Sequence, residues 1–490
     1  MKLLKWAGLA LAVIVTIMVV KTLNFNHTEV SLKPLLDNTA IDRDAVASRL
    51  AKGLTYKTIS YMGAKNKNPQ VFKNFQQHLK NSFPKTHATL NLETVNDLSL
   101  LYFWPGSDAS LKPILLMSHQ DVVPVDNETL DRWTHEAFAG VVSDGIIWGR
   151  GAVDVKSGVM GIMEAAENLL SKGFQPKRGI YFAFGHDEEL GGKEGAAKIA
   201  ELLKSRSVQL QMILDEGGSI VGGGIIPGVD SPVALIGIAE KGYISLKLTA
   251  KAVGGHSSMP PKHTALGIIA KALVALEETP FPVNMAYSEE LFENIGPAMG
   301  LTKKVIFANM WLTQPLVERI LSGTKTTNAT IRTTTAVTMA KGSSKDNILP
   351  SEASAVVNFR IMPGESIASV TAVVKAIINN DGISIAEEGS VGDEPSSISV
   401  SDNKNFQLLE DSIYRVTQNK NLIATPYLVT GGTDAKHFSG LSDSIYRFAF
   451  NRFDPKTLEY MHGINEQISM DNYVDEIKFY RELMLGAQEL

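Results

Sequence analysis

The chain has 490 residues, of which 44% are apolar and 20% are charged, and its net charge at pH 7 is −5. This composition is typical of a globular protein with more than one domain, and the slightly acidic charge without a basic run argues against a nucleic-acid partner. The chain has no cysteine. Disulfides and thiolate sites are therefore excluded, and any metal must be held by histidine and carboxylate side chains.

The N-terminal residues 1–24 predict a segment that enters a membrane. Two lysines precede fifteen uncharged, mostly apolar residues from Trp6 to Val20, and Lys21 follows. A positive start before an apolar run is typical of a secretory signal, with a buried core helix as the structural alternative. No clear small-x-small cleavage site follows, which favours an uncleaved anchor with an extracytoplasmic catalytic domain. If the segment is cleaved, we expect a secreted or periplasmic protein, and in either case membrane contact only through this segment.

After a connecting arm at residues 25–60, the sequence predicts an α/β catalytic domain in two parts, 61–237 and 391–490. Continuous apolar runs are typical of strands buried on both faces, as in a parallel sheet. Between these runs, apolar residues recur at helical spacing, so strands and helices alternate around a central, mostly parallel sheet. The runs are "PILLMSHQD" (113–121), "GIYFAFGHDEE" (179–189), "MILDEGG" (212–218) and "IYRFAF" (445–450).

The intervening residues 238–390 predict a smaller, inserted α+β domain. The stretch 241–253 alternates between apolar and polar residues, as a half-exposed strand does, and 353–362 reads as a second strand. The stretches 265–276 and 369–379 have helical spacing. Residues 280–345 are long and irregular, and they support no detailed assignment.

Acidic and histidine residues follow the apolar runs at the points where the predicted strands end. The strand-end residues are His119, Asp121, Asp187, Glu188, Glu189, Asp215 and Glu216, and Asp154 lies in a glycine-rich turn before a helix. Because sites in open α/β sheets form at the carboxyl ends of strands, we expect these side chains to converge. Converging carboxylates repel each other unless cations neutralise them. The charges of Asp154, Glu188, Glu189 and Asp215 sum to −4, which two divalent ions sharing a bridging carboxylate would balance.

Five motifs in order resemble the metal-site motifs of the M20 family of metallopeptidases: "SHQDVVPV", "GRGAVDVKSG", "GHDEELGG", "LDEGG" and "MHGINE". The resemblance covers roughly residues 60–490. Within the family, the motifs are most similar to those of the branch of carboxypeptidase S and the N-fatty-acyl-amino acid synthase/hydrolases. The resemblance implies a zinc-peptidase-like catalytic domain, with residues 238–390 as a lid domain of the dimerisation type.

The resemblance also implies two zinc ions per chain and a role for each motif residue. The metal ligands carried over are His119 and Asp215 for one ion, Glu189 and His462 for the other, and Asp154 as the bridge. Asp121 is expected to orient the imidazole of His119, and Glu188 to act as the general base. Neighbours in an extended segment point to opposite sides, so the two glutamates cannot easily share one task. Only the resemblance decides which one is the base. It also implies a cis peptide bond between Asp154 and Val155.

Shorter motifs resemble the family's substrate contacts. The residues concerned are His256 in "GGHSSMP", Asn347 in "DNILP", Arg360 in "VNFRIMPGE", and Gly432 and Thr433 in "GGTDA". The resemblance implies that His256 polarises the scissile carbonyl, often across a homodimer. A forked guanidinium such as that of Arg360 suits a substrate carboxylate.

These observations favour a dizinc hydrolase that cleaves an amide bond of a small peptide or N-acyl amino acid and releases a free amino acid. One alternative is a binding protein on the same fold with a dead metal site, although all five ligands and the base are present. Another alternative is the reverse reaction, the synthesis of an N-acyl amino acid. The same residues would serve both directions, so the sequence does not separate them.

Overall fold

Continuous apolar runs form buried strands in this chain, and amphipathic runs form the helices that cover them. The structure is a computed structural model that describes residues 2–27, 30–61, 68–389 and 392–490. Its helices are Lys2–Asn24 (α1), Arg43–Leu54 (α2), Pro69–Ser82 (α3), Pro84–Thr89 (α4), Lys156–Ser171 (α5), Ala196–Ser205 (α6), Ala265–Glu278 (α7), Glu289–Ile295 (α8), Leu301–Ala308 (α9), Met310–Leu321 (α10), Lys325–Ile331 (α11), Ile367–Ile378 (α12), Lys404–Thr417 (α13) and Met470–Gly486 (α14).

Two separate sheets organise the strands. The strands are Asn91–Val95 (β1), Ser99–Trp104 (β2), Ile114–His119 (β3), Val141–Ser143 (β4), Ile146–Trp148 (β5), Ile180–Gly185 (β6), Met212–Asp215 (β7), Ser219–Val221 (β8), Val233–Glu240 (β9), Gly242–Lys251 (β10), Gly255–His256 (β11), Thr334–Lys341 (β12), Ile348–Leu349 (β13), Glu352–Ile361 (β14), Ile383–Glu387 (β15), Ile423–Val429 (β16), Ile445–Arg447 (β17), Arg452–Phe453 (β18) and Gln467–Ser469 (β19). Two smaller sheets complete the strand pairing. One consists of β11 and β13, and the other of β4, β5 and β19.

The large sheet has the strand order β1-β2-β6-β3-β7-β17-β9-β8-β18, with β16 paired to β9. Its central strands β6, β3, β7 and β17 run parallel. Strands β1 and β2 at one side run antiparallel. Helices α5 and α14 cover one face, and α6 covers the other. The expected α/β fold around a mostly parallel sheet is confirmed, and the carboxyl ends of the parallel strands define one edge.

The predicted connecting arm contains a core helix. Asp42 caps α2 by accepting a hydrogen bond from the N–H of Ala45. Val46, Leu50 and Leu54 lie four residues apart on one face and are fully buried in the main core. Each such side chain contributes about 1.5–3 kcal/mol of transfer free energy. Helix α2, which the sequence placed in the connecting arm, therefore packs into the main hydrophobic core.

The second sheet has the order β12-β14-β10-β15 and is antiparallel throughout. Helices α7 and α12 cover one face, which agrees with the alternating burial of β10. The chain crosses from the large sheet to this one at Lys241, between β9 and β10. The predicted boundary at residues 390 and 391 lies outside the described residues.

Four helices, α8 to α11, occupy the stretch that the sequence left unassigned. They belong to the predicted lid segment, yet their apolar side chains pack on β8, β9 and β16 of the large sheet. Phe292 and Val317 are buried in the apolar cluster that these helices form with the large sheet. The reason is that β9 and β16 leave an apolar surface at this end of the large sheet, which these helices cover.

Helix α1 stands apart from these cores. Over the described residues it is the one helix that is long and apolar enough to cross a membrane, and a signal sequence would pass the same test. Its apolar side chains are exposed, and only Thr22, in the last turn, is buried.

Candidate metal centre

Two histidines face the two oxygens of one buried carboxylate, that of Asp154. His119 ends β3, and its Nε2 lies 3.1 Å from Oδ1 of Asp154. His462, in the loop before β19, places its Nε2 2.8 Å from Oδ2. The Asp154–Val155 peptide bond is cis, which confirms the expectation for this bond. Asp154 thus lies between two imidazoles and offers one oxygen to each.

Two glutamates complete the groups on either side of Asp154. Three sets of donor atoms each lie within 4.8 Å of one another: those of His119, Asp154 and Glu216, those of His119, Glu188 and Glu189, and those of Asp154, Glu189 and His462. Oε1 of Glu216 lies 3.2 Å from Nε2 of His119. Oε2 of Glu189 lies 3.4 Å from Nε2 of His462. The structure therefore brings together His119, Asp154, Glu188, Glu189 and His462, as the sequence predicted, and adds Glu216.

Asp215 does not face this cluster. Its Oδ2 accepts a hydrogen bond from the N–H of Ala435 at 2.7 Å, and its Oδ1 accepts one from the N–H of Glu216 at 2.9 Å. Both oxygens are therefore occupied by the backbone, and Asp215 ties the end of β7 to the segment that carries Thr433. The neighbouring Glu216 occupies the position beside His119 that the sequence assigned to Asp215.

Asp121 holds both His119 and the turn of the two glutamates. The ring Nδ1 of His119 lies 3.0 Å from the backbone oxygen of Asp121 and 3.4 Å from its Oδ1. The carboxylate accepts hydrogen bonds from the N–H groups of Glu188 and Glu189, at 3.1 and 3.2 Å. These two residues begin a short 3₁₀ turn after β6. Asp121 therefore contacts both the imidazole of His119 and the glutamate turn, and its role in orienting that imidazole stays a prediction.

Glu466 positions the loop that carries Asp154, a role that the sequence analysis missed. Its Oε1 accepts from the N–H groups of Val153 and Asp154, at 2.9 and 3.1 Å. Its Oε2 accepts from the N–H of Gly151 and from Arg150, at 3.0 and 2.6 Å. The only sequence signal is that Glu466 follows His462 within the same motif.

Burial and mutual repulsion raise the pKa values of Glu188, Glu216 and the neighbouring Asp434. Burial raises the pKa of Glu188 well above its usual range, and the charges of Glu216, Asp434 and Asp154 raise it further. Burial and the charge of Asp154 raise the pKa of Glu216 to about 7. Asp434 is buried and neither of its oxygens has a hydrogen-bond partner among the described residues. Burial and the charge of Asp215 raise its pKa well above its usual range.

The two imidazoles shift toward the charged form. Hydrogen bonds to Asp154 and Glu189 raise the pKa of His462 to about 10. Burial lowers the pKa of His119, but neighbouring carboxylates, above all Glu216, outweigh burial and place it well above its usual range. Both shifts have one cause, the concentrated negative charge of the carboxylates, which a divalent cation would also neutralise.

The donor set fits divalent metal ions. Among the described residues, no lysine or arginine forms an ion pair with Asp154, Glu188, Glu189 or Glu216. Oε1 of Glu189 is buried without a hydrogen-bond partner there. Because Nδ1 of His119 faces acceptor oxygens, a neutral ring would point its Nε2 lone pair at two carboxylates. A cation between these groups would relieve that repulsion, and imidazole and carboxylate are ligands that zinc accepts.

The predicted substrate residues fall into two places. Thr433 lies in the segment that Asp215 holds, and its N–H and Oγ1 donate to Oε2 of the buried Glu240 at 2.8 and 2.9 Å. Lys241 follows Glu240 and separates β9 from β10, and it lies near Arg360. Burial and the charge of Arg360 together lower the pKa of Lys241 to about 7. The guanidinium of Arg360 stacks 4.8 Å from the ring centre of Tyr243.

His256 and Asn347 lie together in the lid and apart from the cluster. His256 lies in β11, which pairs with β13, and Asn347 directly precedes β13. The N–H of Ser257 donates to the backbone oxygen of Asn347 at 3.2 Å. His256 is exposed, and Ser258 Oγ lies 2.8 Å from its Nδ1. Within the described residues, no hydrogen bond or ion pair joins His256 to the metal ligands.

Known proteins share this sequence and fold. The chain matches the model of peptidase family M20/M25/M40 over residues 115–486. It is 38% identical to the "Probable carboxypeptidase S-like 2" of Dictyostelium discoideum, covering 97% of this chain and 92% of that protein. It is 37% identical to the human "N-fatty-acyl-amino acid synthase/hydrolase PM20D1", covering 91% and 88%. The crystal structure of an M20 family metallo-carboxypeptidase, Sso-CP2 from Sulfolobus solfataricus, superposes with a TM-score of 0.64 at 18% identity, covering 92% of this chain and all of that one.

Proposed function

Because the chain belongs to the M20 peptidase family and is therefore a metal-dependent hydrolase of amide bonds, we propose that it uses two zinc ions to release a free amino acid. The observation that carries the proposal is the position of Asp154. Its two oxygens face two different imidazoles, at 3.1 and 2.8 Å. A carboxylate whose two oxygens each face a different imidazole is suited to bridging two metal ions.

The ligand sets follow from which atoms face each other. His119, Asp154 and Glu216 would hold one ion, and Glu189, His462 and Asp154 the other. Glu216 replaces Asp215 in this proposal because Asp215 has both oxygens engaged by backbone N–H groups. Asp121 and Glu466 would position these ligands without binding metal, as carboxylates behind a metal site commonly do.

The chemistry divides between the metal and Glu188. When bound, the ions polarise the amide carbonyl and make a water molecule more acidic. Glu188 accepts a proton from the attacking water and donates it to the nitrogen of the leaving amine. Its buried position suits this task, since burial raises the pKa of Glu188 and favours the form that holds the proton between the two steps.

The substrate we propose is a small peptide or an N-acyl amino acid with a free carboxylate. The names of the relatives include a carboxypeptidase and an N-fatty-acyl-amino acid hydrolase, whose substrates both end in an amino-acid carboxylate. Arg360 is half-buried, and no acidic side chain of the described residues pairs with it. Its guanidinium, together with the backbone near Gly432 and Thr433, is our candidate for holding that carboxylate.

The reverse reaction is the second candidate, because the human relative is named a synthase as well as a hydrolase. The same residues would serve, with Glu188 taking a proton from the attacking amine and donating it to the carboxyl oxygen that leaves as water. A metal-free binding protein fits less well, since the base and a full set of ligands are present.

We further propose that α1 anchors the chain in a membrane and that the chain forms a homodimer. The first proposal rests on an exposed apolar helix of 23 residues at the N-terminus. The second rests on His256 and Asn347, which lie at the exposed edge of the lid and would need a second chain to reach a metal centre.

The replacement Glu188→Gln tests the catalytic proposal. The zinc-loaded variant is expected to keep its metal content and melting temperature, and to lose about 10²–10⁴-fold in kcat on dipeptides or N-acyl amino acids, because an amide cannot take the proton. Glu201→Gln, an exposed glutamate on α6, is the matched control and should change neither quantity. Full activity in Glu188→Gln, or a wild-type chain that takes up no divalent metal, would contradict the proposal.

A further inference from the structure

Helix α10 exposes a row of large apolar side chains. Leu312, Leu316 and Ile320 lie four residues apart, on one face of the helix, and are 47%, 48% and 54% exposed. Trp311, in the first turn of the same helix but not in this row, is 49% exposed. A second face, about 100° around the helix from this row, is buried against the large sheet through Val317. Helix α10 is therefore apolar on two faces, and only one of them has a partner within the described residues.

The last two turns of α1 dock where α10 begins. Asn309 Nδ2 donates to Oγ1 of Thr22 at 3.2 Å and lies 3.4 Å from the backbone oxygen of Met18. Lys304 Nζ, on α9, donates to Oδ1 of Asn26 at 3.1 Å. The apolar row of α10 therefore begins three residues from the point where the protein holds the end of α1.

The length of α1 sets the height of this contact relative to the bilayer. The uncharged run from Trp6 to Val20 rises about 22 Å as a helix. A hydrocarbon core is roughly 30 Å thick. An apolar run shorter than the core draws its flanking residues toward the bilayer. Met18 and Thr22 then lie at the boundary of the hydrocarbon, and Asn309, which touches both, lies at the same height.

We propose that the face of α10 formed by Leu312, Leu316 and Ile320 lies in the headgroup region of the bilayer that holds α1. This inference rests on the proposed anchoring by α1. Long aliphatic side chains on one face of an amphipathic helix favour this boundary. Arg319 projects from the same side, where its guanidinium can reach lipid phosphates. The chain thus contacts lipid at two places, and the second contact fixes how the catalytic domain is oriented on the membrane.

The absence of cysteine makes the test direct. Single-cysteine variants of the full chain, Leu316→Cys and Gln314→Cys, carry a nitroxide label and are reconstituted into vesicles of phosphatidylcholine and phosphatidylglycerol. Gln314 is exposed on the polar side of the same helix and is the matched control. Collision with a water-soluble nickel chelate is expected to be several-fold lower at 316 than at 314, while collision with lipid-soluble oxygen is higher at 316.

The possible results separate this inference from the anchoring proposal. A chain that does not float with the vesicles contradicts anchoring, and with it the lipid contact. Flotation with equal accessibility at 314 and 316 leaves anchoring intact and overturns the lipid contact. Protection from nickel at 316 without enriched oxygen collision also overturns it, since that pattern indicates coverage by protein. If Leu316→Cys loses its native circular dichroism, Leu312→Cys takes its place with the same expected result.

Discussion

Asp215 and Glu216 are neighbours at the end of β7 with different surroundings. Asp215 is the last strand residue, and backbone N–H groups surround its carboxylate. Glu216 follows, just before Gly217, whose φ of +112° is accessible mainly to glycine. The chain therefore turns at Glu216 and directs that carboxylate to His119.

Exchanging each acid for its amide separates these two tasks. Glu216→Gln is expected to lower the zinc content from two ions to one per chain, because a neutral amide is a much poorer ligand. Asp215→Asn is expected to keep the ligand set but to lower the free energy of unfolding by about 1–3 kcal/mol, since a buried N–H group loses its acceptor. Elemental analysis and thermal unfolding measure the two effects. The opposite pattern, with metal lost in Asp215→Asn alone, would restore Asp215 as the ligand.

A buried acid outside the candidate ligand set makes stability depend on pH. Burial raises the pKa of Glu476 from its usual 4.5 to about 8, only partly offset by a hydrogen bond from Ser157. Between these two pH values the unfolded chain releases the proton while the folded chain keeps it. The folded state therefore loses stability as pH rises from about 4.5 to about 8, at about 1.4 kcal/mol per unit of pKa difference.

Glu476→Gln removes this dependence. At pH 5 the variant should melt close to the wild type, and at pH 8 it should melt higher, by on the order of 2–5 °C. Glu277→Gln, an exposed glutamate on α7, is the control and should track the wild type at both pH values. A melting difference that stays constant between pH 5 and pH 8 would mean that Glu476 ionises alike in both states.

At the same scale, the sequence predicted the type of each ligand better than its identity. Strand-end acids and histidines converge because parallel strands end at one edge, so His119, Asp154 and Glu189 could be expected together. The choice of Asp215 over its neighbour Glu216 came from the family resemblance alone, because the direction of the two side chains depends on a turn just past β7. Glu466 was missed because three of its four donors are backbone N–H groups, which leave no pattern in the side chains.

At the scale of elements, continuous runs predicted β3, β6 and β7 well, since strands buried on both faces need apolar residues at every position. Helices α8 to α11 were not predicted. They are short, and what holds them is an apolar surface on β9 and β16 that lies far away in sequence. Helix propensity and local patterning carry no information about such a partner.

The arm between α1 and α2 is fastened to the catalytic domain by buried charges. Glu482, fully buried on α14, accepts hydrogen bonds from the N–H of Leu36 at 2.9 Å and from that of Asp37 at 3.3 Å. Arg481, also buried, donates to the backbone oxygen of Asp37 at 2.6 Å. The arm thus supplies partners that the core cannot replace.

Two truncations distinguish the anchor from the arm. Removal of residues 1–24 is expected to leave a folded, active chain, because almost all of α1 lies outside the cores. Removal of residues 1–41 leaves Glu482 and Arg481 with fewer partners and should cost about 3–5 kcal/mol. Lys33→Ala, which breaks only an exposed ion pair with Asp411, is the control and should cost at most about 1 kcal/mol. Equal melting temperatures for both truncations would show that the arm contributes little.

At the scale of the whole molecule, the large sheet carries the candidate ligands and the lid carries His256. The two sheets join at Lys241, whose amine donates to the backbone oxygens of Ala329 and Arg332 at 3.0 and 2.8 Å. Strands β12 and β15 are the edges of the lid sheet. The exposed position of His256 on this domain is the reason to expect that a second chain completes each active site.

Mixing two inactive variants tests whether His256 acts across a homodimer. His256→Ala removes the lid imidazole, and Glu188→Gln removes the base. If His256 serves the partner's site, a mixed dimer has one site with an intact Glu188 and an intact His256, and a second site with neither. Unfolding and refolding an equal mixture yields mixed dimers in half of the molecules, so about one quarter of wild-type activity should return. Each variant refolded alone is the control and should stay inactive. If the mixture also stays inactive while light scattering shows dimers, His256 acts within its own chain or not at all.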